Sequence, residues 1–317
     1  MNKVSQENSV RALLRSGIAQ LRDANVPSFT LAAELLLLHA LERDRTWLYA
    51  HPEECVPDAI AERFQALIAG RAAGEPTQYL TGKQEFWGLE FEVTPDVLIP
   101  RPETEHVTEV ALDRLALREV RAGCPQMTLG EELLIADIGT GSGCLAIALA
   151  KELPGATIYA TDISPGALVV ARRNAVRHGV AERIRFVECN FLDNFDQVAV
   201  HQSLITSHLS PSFHLIVSNP PYIGRREGET LPIELRRHEP EGALYGGEEG
   251  YELYAELISQ AARNLKPGGI LVLELGHNSL LAVQPLLDAA NWTNVGVTND
   301  LAGIPRVIAA ERSAAQL

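Results

Sequence analysis

The sequence has few cysteines and no dense run of Lys and Arg. The first shortage argues against disulfides and zinc sites, and the second against a protein that binds duplex DNA. Its cysteines are widely spaced and form no C-x-x-C pair, which favours free buried thiols over disulfides or a zinc site. They are Cys55, Cys124, Cys144 and Cys189. Lys and Arg number 27 against 41 Asp and Glu, so the formal net charge is -14. An enzyme that binds duplex DNA normally carries a basic surface, and the arginine pairs at 225–226 and 236–237 are interpreted as solvated loop residues.

The sequence also lacks a segment that resembles a signal peptide or a membrane span. Residues 1–10 are polar, and the apolar run 31–41 is too short to cross a bilayer and contains Glu34 and His39. We therefore expect a cytoplasmic protein without membrane contact. With 317 residues and 46% hydrophobic content, the chain is long enough for two domains with a core in each.

What is present begins with the tetrapeptide Asn219-Pro220-Pro221-Tyr222, which follows an apolar run typical of a buried strand at 215–217. The Asn219 side-chain oxygen and the Pro220 carbonyl can accept both hydrogens of an NH2 group and aim its nitrogen at an electrophilic methyl group. The prolines stiffen this geometry, and Tyr222 offers a flat face for stacking a planar group. Taken alone, the motif is equally typical of an ordinary turn at a strand end.

A glycine-rich loop provides a second motif, between a predicted strand at 133–138 and a helix that begins at Cys144. Glycines let the backbone approach a ligand closely where the helix N–H groups are free, which predicts a cradle for a nucleotide-type cofactor. The loop residues are Gly139, Thr140, Gly141, Ser142 and Gly143. A dinucleotide site of the G-x-G-x-x-G type would need glycine at Cys144, so an NAD site is disfavoured without being excluded. A plain strand-to-helix turn is the alternative.

Two further predicted strands also end in polar residues. The strand at 157–160 leads to Asp162, which can accept hydrogen bonds from both hydroxyls of a ribose or cap the next helix. The strand at 184–187 leads to Asn190 and Phe191, an amide and an aromatic ring that can bracket an adenine. Because the carboxyl ends of parallel strands meet at one edge of an open sheet, the four loops are expected to form one site.

The rest of the chain completes the predicted architecture. Three more strands are expected near 270–275, 293–298 and 306–310, and a helix near 248–265. The fold class is therefore α/β, with a mostly parallel, Rossmann-like sheet of seven strands. Residues 10–73 show helical spacing broken by prolines, which predicts four or five short helices.

The order of the four loops resembles that of the class I S-adenosylmethionine-dependent methyltransferases. Asn-Pro-Pro-Tyr resembles the branch that methylates amino groups, which includes adenine-N6 DNA methyltransferases and glutamine-N5 protein methyltransferases. The segments 74–80, 85–91, 97–105 and 239–247 closely resemble the HemK/PrmC family, the glutamine methyltransferases of peptide chain release factors. This resemblance runs from roughly 17 to 312.

The resemblance implies S-adenosyl-L-methionine as the cofactor and the Gly-Gly-Gln loop of class 1 peptide chain release factors as the substrate. Its implied cofactor-binding residues are Gly139, Thr140, Gly141, Ser142, Gly143, Asp162, Phe191 and Asn219. Its implied catalytic residues are Asn219, Pro220 and Tyr222, with Pro221 completing the substrate site. No direct nucleic-acid contact and no metal are expected. A ribosomal-protein glutamine methyltransferase, an adenine-N6 DNA methyltransferase and a non-catalytic cofactor-binding scaffold stay open as alternatives, in that order.

The resemblance also divides the chain into three parts. Residues 1–80 are the expected helical-bundle domain for substrate recognition, 81–105 the linking β-hairpin, and 106–317 the cofactor-binding catalytic domain. Two departures stand out, because Asn190 replaces the more usual Asp and the loop 198–212 is longer than in the family. The histidines in and beside that loop are interpreted as loop composition rather than a metal site. They are His201, His208 and His214.

Overall fold

The computed structural model describes most of the chain, namely residues 8–121, 132–193, 195, 212–287 and 291–313. Residues 201 and 208, and with them most of the predicted long loop, lie outside this range. Two compact units are present. One comprises Met1–Lys83 with Pro232–His238, and the other comprises Gln84–Leu231 with Glu239–Leu317. The three-part division expected from the sequence stays a prediction.

The first unit is helical. Its helices are α1 (Val10–Asp23), α2 (Phe29–Leu41), α3 (Arg45–Ala50), α4 (Asp58–Ala72), α5 (Thr77–Thr81) and α9 (Ile233–His238). Helix α1 starts where the Ser9 hydroxyl accepts the Ala12 N–H at 3.3 Å. Gly17 lets α1 and α4 approach closely, because a Cβ there would lie 2.7 Å from the fully buried Phe64 ring. An ion pair between buried Arg71 and Glu234 attaches α9 to α4.

The second unit is built on a seven-stranded sheet. Its strands are β3 (Leu133–Ile138), β4 (Ala156–Asp162), β5 (Ile184–Glu188), β6 (Phe213–Ser218), β9 (Leu265–Glu274), β10 (Trp292–Asn299) and β11 (Pro305–Arg312). The strand order is β10-β11-β9-β6-β3-β4-β5, and only the pairs made by β11 are antiparallel among these described strands. The predicted α/β class and mostly parallel seven-stranded sheet are therefore confirmed.

Helices cover both faces of this sheet. They are α6 (Glu105–Arg121), α7 (Cys144–Glu152), α8 (Pro165–Arg177), α11 (Glu252–Asn264) and α12 (Leu280–Leu287). The short helix α10 (Glu241–Leu244) also belongs to this unit. Alternate residues of β3 enter two separate cores, because Ile135 packs with α6, α7 and α8 whereas Ala136 and Ile138 pack with α11 and α12. Burial on both faces explains why the strands read as continuous apolar runs.

Two small sheets complete the second unit. One is the hairpin of β1 (Lys83–Phe86) and β2 (Leu89–Glu92), and the other pairs β7 (Ile223–Gly224) with β8 (Tyr245–Gly247). No helix within the described ranges combines the length and the apolar character needed to span a bilayer.

Two predicted boundaries were wrong. Strand β9 starts at Leu265, inside the segment expected to close a helix, because Leu265 pairs with Phe213 across an irregularity in the register. Helix α11 starts at Glu252 rather than near 248. There the Glu252 carboxylate accepts the backbone N–H groups of Glu249, Gly250 and Tyr251, so those residues form a turn before the helix.

Candidate active site

A cavity of about 330 Å³ lies beside the loops that follow β3, β4, β5 and β6. It is found at the switch point of the strand order, between β3 and β6, where open parallel sheets bind ligands. Most of the site residues expected from the sequence line it. They are Gly139, Thr140, Gly141, Ser142, Asp162, Phe191, Asn219 and Pro221. The remaining three, Gly143, Pro220 and Tyr222, are not among the described residues that line it.

The glycine loop shows why its glycines are not equivalent. Gly139 and Gly141 have left-handed φ angles of 70° and 56°, and a Cβ on either would meet no atom within 4 Å. Gly143, by contrast, has a φ of 84°, and its Cβ would lie 3.2 Å from the Ala171 Cβ. The first two glycines leave room for a ligand, whereas Gly143 lets α7 start close to α8.

A buried carboxyl group forms hydrogen bonds with this loop and with the helix that follows it. Asp137 accepts the Thr140 hydroxyl at 2.6 Å and the Ala146 N–H at 3.1 Å through one oxygen. Burial raises the pKa of Asp137 to about 7, although these two hydrogen bonds oppose the shift. Asp137 was predicted only as part of a strand, and the signal that identifies its role is an acid two positions before the first glycine of the loop.

Asp162 connects the first loop to the second. Its two oxygens accept the Gly141 N–H and the Ser164 N–H, each at 2.9 Å. Ser164 caps helix α8, since its hydroxyl accepts the Ala167 N–H at 3.2 Å. Burial raises the pKa of Asp162. Because a carboxylate offers about four acceptor sites, Asp162 retains lone pairs for ligand hydroxyls at the cavity wall.

The loop after β5 is fixed by a buried amide. Phe191 has a left-handed φ of 51°, which is uncommon outside glycine. The next backbone N–H, that of Leu192, donates to the Gln260 side chain at 2.8 Å, and Gln260 also donates to Asp193 at 2.7 Å. Asn190 and Phe191 both line the cavity. The contribution of Gln260 was not predicted because 68 positions separate it from Leu192, the residue of this loop that donates to it.

Asn219 presents a hydrogen-bond acceptor that lacks a donor. Its Nδ2 donates to the Thr104 hydroxyl at 3.0 Å, so the amide is oriented. Its Oδ1 is buried and has no hydrogen-bond partner among the described residues. An unsatisfied buried acceptor costs about 1–3 kcal/mol, which is the energy that a ligand N–H can recover. The geometry fits a ligand amino group at this atom.

The Tyr222 hydroxyl takes part in a buried hydrogen bond. Its hydroxyl donates to buried Glu274 at 3.1 Å. Burial raises the pKa of Tyr222 well above its usual value, and burial also raises the pKa of Glu274 to about 7. Tyr222 is therefore a neutral hydrogen-bond donor, and its expected stacking on a substrate amide stays a prediction.

Three glycines leave space for the backbone of the tetrapeptide. A Cβ on Gly246 would overlap the Pro221 carbonyl, and one on Gly250 would overlap the Tyr222 carbonyl. A Cβ on Gly276 would lie 3.1 Å from the Tyr222 Cβ. The sequence indicated Gly246 only as part of a family resemblance, whereas the structure shows backbone contacts that no other residue type permits.

A strap of residues at 96–100 forms another wall of the cavity. Buried Glu239 holds it, accepting the Arg101 guanidinium at 2.5 Å and the Ile99 N–H at 3.4 Å. Asn174 links the hairpin to the glycine loop, since its side chain donates to the Ser142 carbonyl at 2.9 Å and accepts the Glu92 N–H at 2.8 Å. These positioning contacts span distant parts of the sequence and were not predicted.

Comparison with known proteins identifies the family. The chain matches the PrmC N-terminal domain over residues 12–82 and a methyltransferase domain over residues 130–296. Release factor glutamine methyltransferase of Koribacter versatilis is 42% identical, with 92% of this chain and 95% of that protein aligned. The protein of the same name from Nitratidesulfovibrio vulgaris is 39% identical over the full length of both chains.

Solved structures show the same fold. The catalytic domain of human METTL16, in complex with a 3'UTR hairpin, has a TM-score of 0.51 and 17% identity, covering 77% of this chain and 81% of that one. This similarity supports the fold alone. The similarity to the curated relatives extends over nearly the whole chain and is much closer. On that evidence, this chain belongs to the release factor glutamine methyltransferase family.

Proposed function

We propose that this protein transfers a methyl group from S-adenosyl-L-methionine to the side-chain nitrogen of glutamine in the Gly-Gly-Gln loop of class 1 release factors. The observation that carries the proposal is the buried Asn219 Oδ1, an oriented acceptor without a partner in the described chain. It lies in the wall of the same cavity as the glycine loop. The names of the relatives support a release factor as the substrate.

The cavity suits the proposed cofactor. Its volume of about 330 Å³ is at the lower end of the range typical of small-molecule sites. Gly139 and Gly141 allow close approach of the ligand, Asp162 offers lone pairs to ribose hydroxyls, and Phe191 offers an aromatic face to the adenine. When bound, S-adenosyl-L-methionine supplies a methyl group attached to a sulfonium sulfur.

The proposed role of the tetrapeptide is to orient the substrate nitrogen. Asn219 Oδ1 and the Pro220 carbonyl accept the two amide hydrogens, which directs the weakly nucleophilic nitrogen and stabilises positive charge as it develops. No strong general base is required, because the amide proton becomes acidic only as the new bond forms and then leaves to water. The raised pKa of Tyr222 agrees with this, since it keeps that hydroxyl protonated.

Two arginines near the motif already have intramolecular contacts, which supports a protein substrate over a nucleic acid. Arg226 forms an ion pair with Glu249. The Arg225 guanidinium lies 4.9 Å from the centroid of the Tyr245 ring. Both are exposed, but the carboxylates that pair with them, Glu249 with Arg226 and Glu241 at 3.9 Å from Arg225, reduce the positive charge available to a phosphate backbone.

We also propose that the helical part, residues 1–80, recognises the release factor, with 81–105 as the linking hairpin and 106–317 as the catalytic domain. Helix α2 exposes Leu31 and Leu35, and α3 exposes Tyr49. Their exposed fractions are 46%, 43% and 59%, respectively. Exposed apolar side chains near one another on a small domain are typical of a binding surface.

The test uses a purified class 1 release factor and cofactor labelled in the transferred methyl group. The wild-type protein should label the factor, and Asn219→Ala should reduce the rate by about 100-fold or more because the nitrogen loses its orientation. Asn264→Ala is the matched control, since among the described residues that side chain donates to its own helix, at the Gln260 carbonyl. Absence of labelling with folded factor and bound cofactor would overturn the proposal, and labelled ribosomal protein or DNA would identify the alternative.

A further inference from the structure

Thr104 and Glu274 are two buried polar residues near Asn219. Both are only 1% exposed. The Thr104 hydroxyl accepts the Asn219 amide at 3.0 Å. The Tyr222 hydroxyl donates to one oxygen of Glu274 at 3.1 Å, and the other oxygen is buried without a hydrogen-bond partner among the described residues. Thr104 and Tyr222 both favour the ionised form of Glu274. None of these contacts was expected from the sequence, which assigned no role to Thr104 or Glu274.

The direction of these hydrogen bonds decides which atom of Asn219 faces the cavity. A threonine hydroxyl has one proton, and an ionised carboxylate can only accept. When Thr104 donates its proton to Glu274, its lone pairs remain for the Asn219 Nδ2. The Asn219 Oδ1 then faces the cavity. It is buried and has no hydrogen-bond partner within the described ranges. A reversed amide would present an NH2 group to the NH2 group of the substrate.

We infer that the Glu274 carboxylate, acting through the Thr104 hydroxyl, orients Asn219 with its side-chain oxygen toward the substrate amide. This inference rests on the proposed function. Thr104 and Glu274 are positioning residues, because each acts on the substrate only through Asn219. Their effect is to select an acceptor rather than a donor at the atom that binds the glutamine nitrogen.

The orientation of Asn219 should depend on pH. A protonated Glu274 can donate to Thr104, which frees the Thr104 proton for Asn219 and removes the preference for one amide orientation. Burial raises the pKa of Glu274 to about 7, Glu103 also raises it, and Arg306 lowers it. The tyrosines that contact Glu274 are Tyr222 and Tyr254, and the nearby thiol that it affects is that of Cys144. Turnover should therefore rise as pH increases through about 7.

The test compares kcat, KM and cofactor affinity in three variants. Thr104→Val removes the hydroxyl and should lower kcat/KM about tenfold or more, with cofactor affinity unchanged. Thr104→Ser keeps the hydroxyl and should restore activity to within about threefold. Thr108→Val is the matched control, since Thr108 is fully buried and its hydroxyl has no hydrogen-bond partner among the described residues. Equal losses in Thr104→Val and Thr108→Val would overturn the inference.

The pH profile separates this role from simple packing. Glu274→Gln should remove the rise in kcat between about pH 6 and 8, because it no longer titrates. A rise that persists in Glu274→Gln contradicts the inference.

A readout independent of turnover uses the side-chain amide signal of Asn219 in an NMR spectrum, assigned by its loss in Asn219→Ala. It should shift with pH in the wild type and not in Thr104→Val. If the wild type fails to methylate, the proposed function fails, while this signal still decides the orientation.

Discussion

At the scale of single residues, the site depends on backbone and side-chain atoms that tolerate little displacement. The Nδ2 of Asn219 is hydrogen-bonded, and its Oδ1 is an acceptor without a partner in the part of the chain that the structure describes. The tetrapeptide backbone that carries it passes Gly246 and Gly250 so closely that a methyl group on either would overlap a carbonyl oxygen. Carbonyl oxygens of a fixed backbone cannot move away as a flexible side chain can. The position of the substrate acceptors therefore depends on these two glycines.

Gly246→Ala should lower kcat about 10- to 100-fold, because the new methyl group displaces the Pro221 carbonyl and with it the neighbouring acceptors. Initial rates at saturating substrate measure this effect. Gly155→Ala is the matched control, since a Cβ there meets no atom within 4 Å. Equal rates for Gly246→Ala and wild type would show that the backbone absorbs the change.

Several site residues were predictable because their signal is local. Gly139, Asp162 and Asn219 each follow an apolar strand, and parallel strands bring such positions to one edge. Thr104 was not predictable, since it contacts Asn219 across 115 positions of the chain. Tyr222 was predicted as a stacking ring, and no local pattern indicated that its hydroxyl reaches Glu274.

At the scale of elements, Asn174 joins three parts of the second unit. Asn174 lies on α8, and its side chain accepts the N–H of Glu92 on β2 and donates to the Glu92 carbonyl. It also donates to the Ser142 carbonyl in the glycine loop. It is fully buried. Both polar groups of the amide are therefore satisfied, and the loop conformation depends on a helix and a hairpin as well as on its own glycines.

Asn174→Ala should weaken cofactor binding about tenfold, because it leaves the Ser142 carbonyl and the Glu92 backbone without buried partners. Isothermal titration calorimetry with S-adenosyl-L-methionine measures the dissociation constant. Asn264→Ala serves again as control, because its side chain donates to the Gln260 carbonyl within α11. An unchanged dissociation constant for Asn174→Ala would mean that the glycines alone maintain the loop.

Element types were more predictable than element ends. The seven strands could be predicted from apolar runs in the sequence. The start of β9 could not, because it depends on pairing between Leu265 and Phe213. The residues of β9 that follow Leu265 include Pro267, Gly268 and Gly269, a sequence typical of a turn. Tertiary pairing overrides that local preference.

At the scale of the whole molecule, two buried acids affect stability. Asp137 and Glu274 are almost completely inaccessible, and burial raises the pKa of each to about 7. The folded state therefore holds protons that the unfolded state has already released between about pH 4 and 7. A raised carboxyl pKa stabilises the fold at low pH, and this contribution is lost as pH rises through the folded value.

The free energy of unfolding should include a term that falls between about pH 4 and 7, and Asp137→Asn should reduce that fall by on the order of 1–3 kcal/mol. Urea unfolding at several pH values measures the difference between variant and wild type. Asp113→Asn, an exposed position on α6, is the matched control and should follow the wild type. Parallel curves for Asp137→Asn and wild type would contradict the raised pKa of Asp137.

The most direct measurement for the central claim is tandem mass spectrometry of a class 1 release factor after incubation with the wild-type protein and S-adenosyl-L-methionine. We predict one added methyl group, located by fragmentation on the side-chain nitrogen of the Gly-Gly-Gln glutamine, and no addition with Asn219→Ala. A methyl group on any other residue, or an unmodified factor beside methylated ribosomal protein or DNA, would contradict the account.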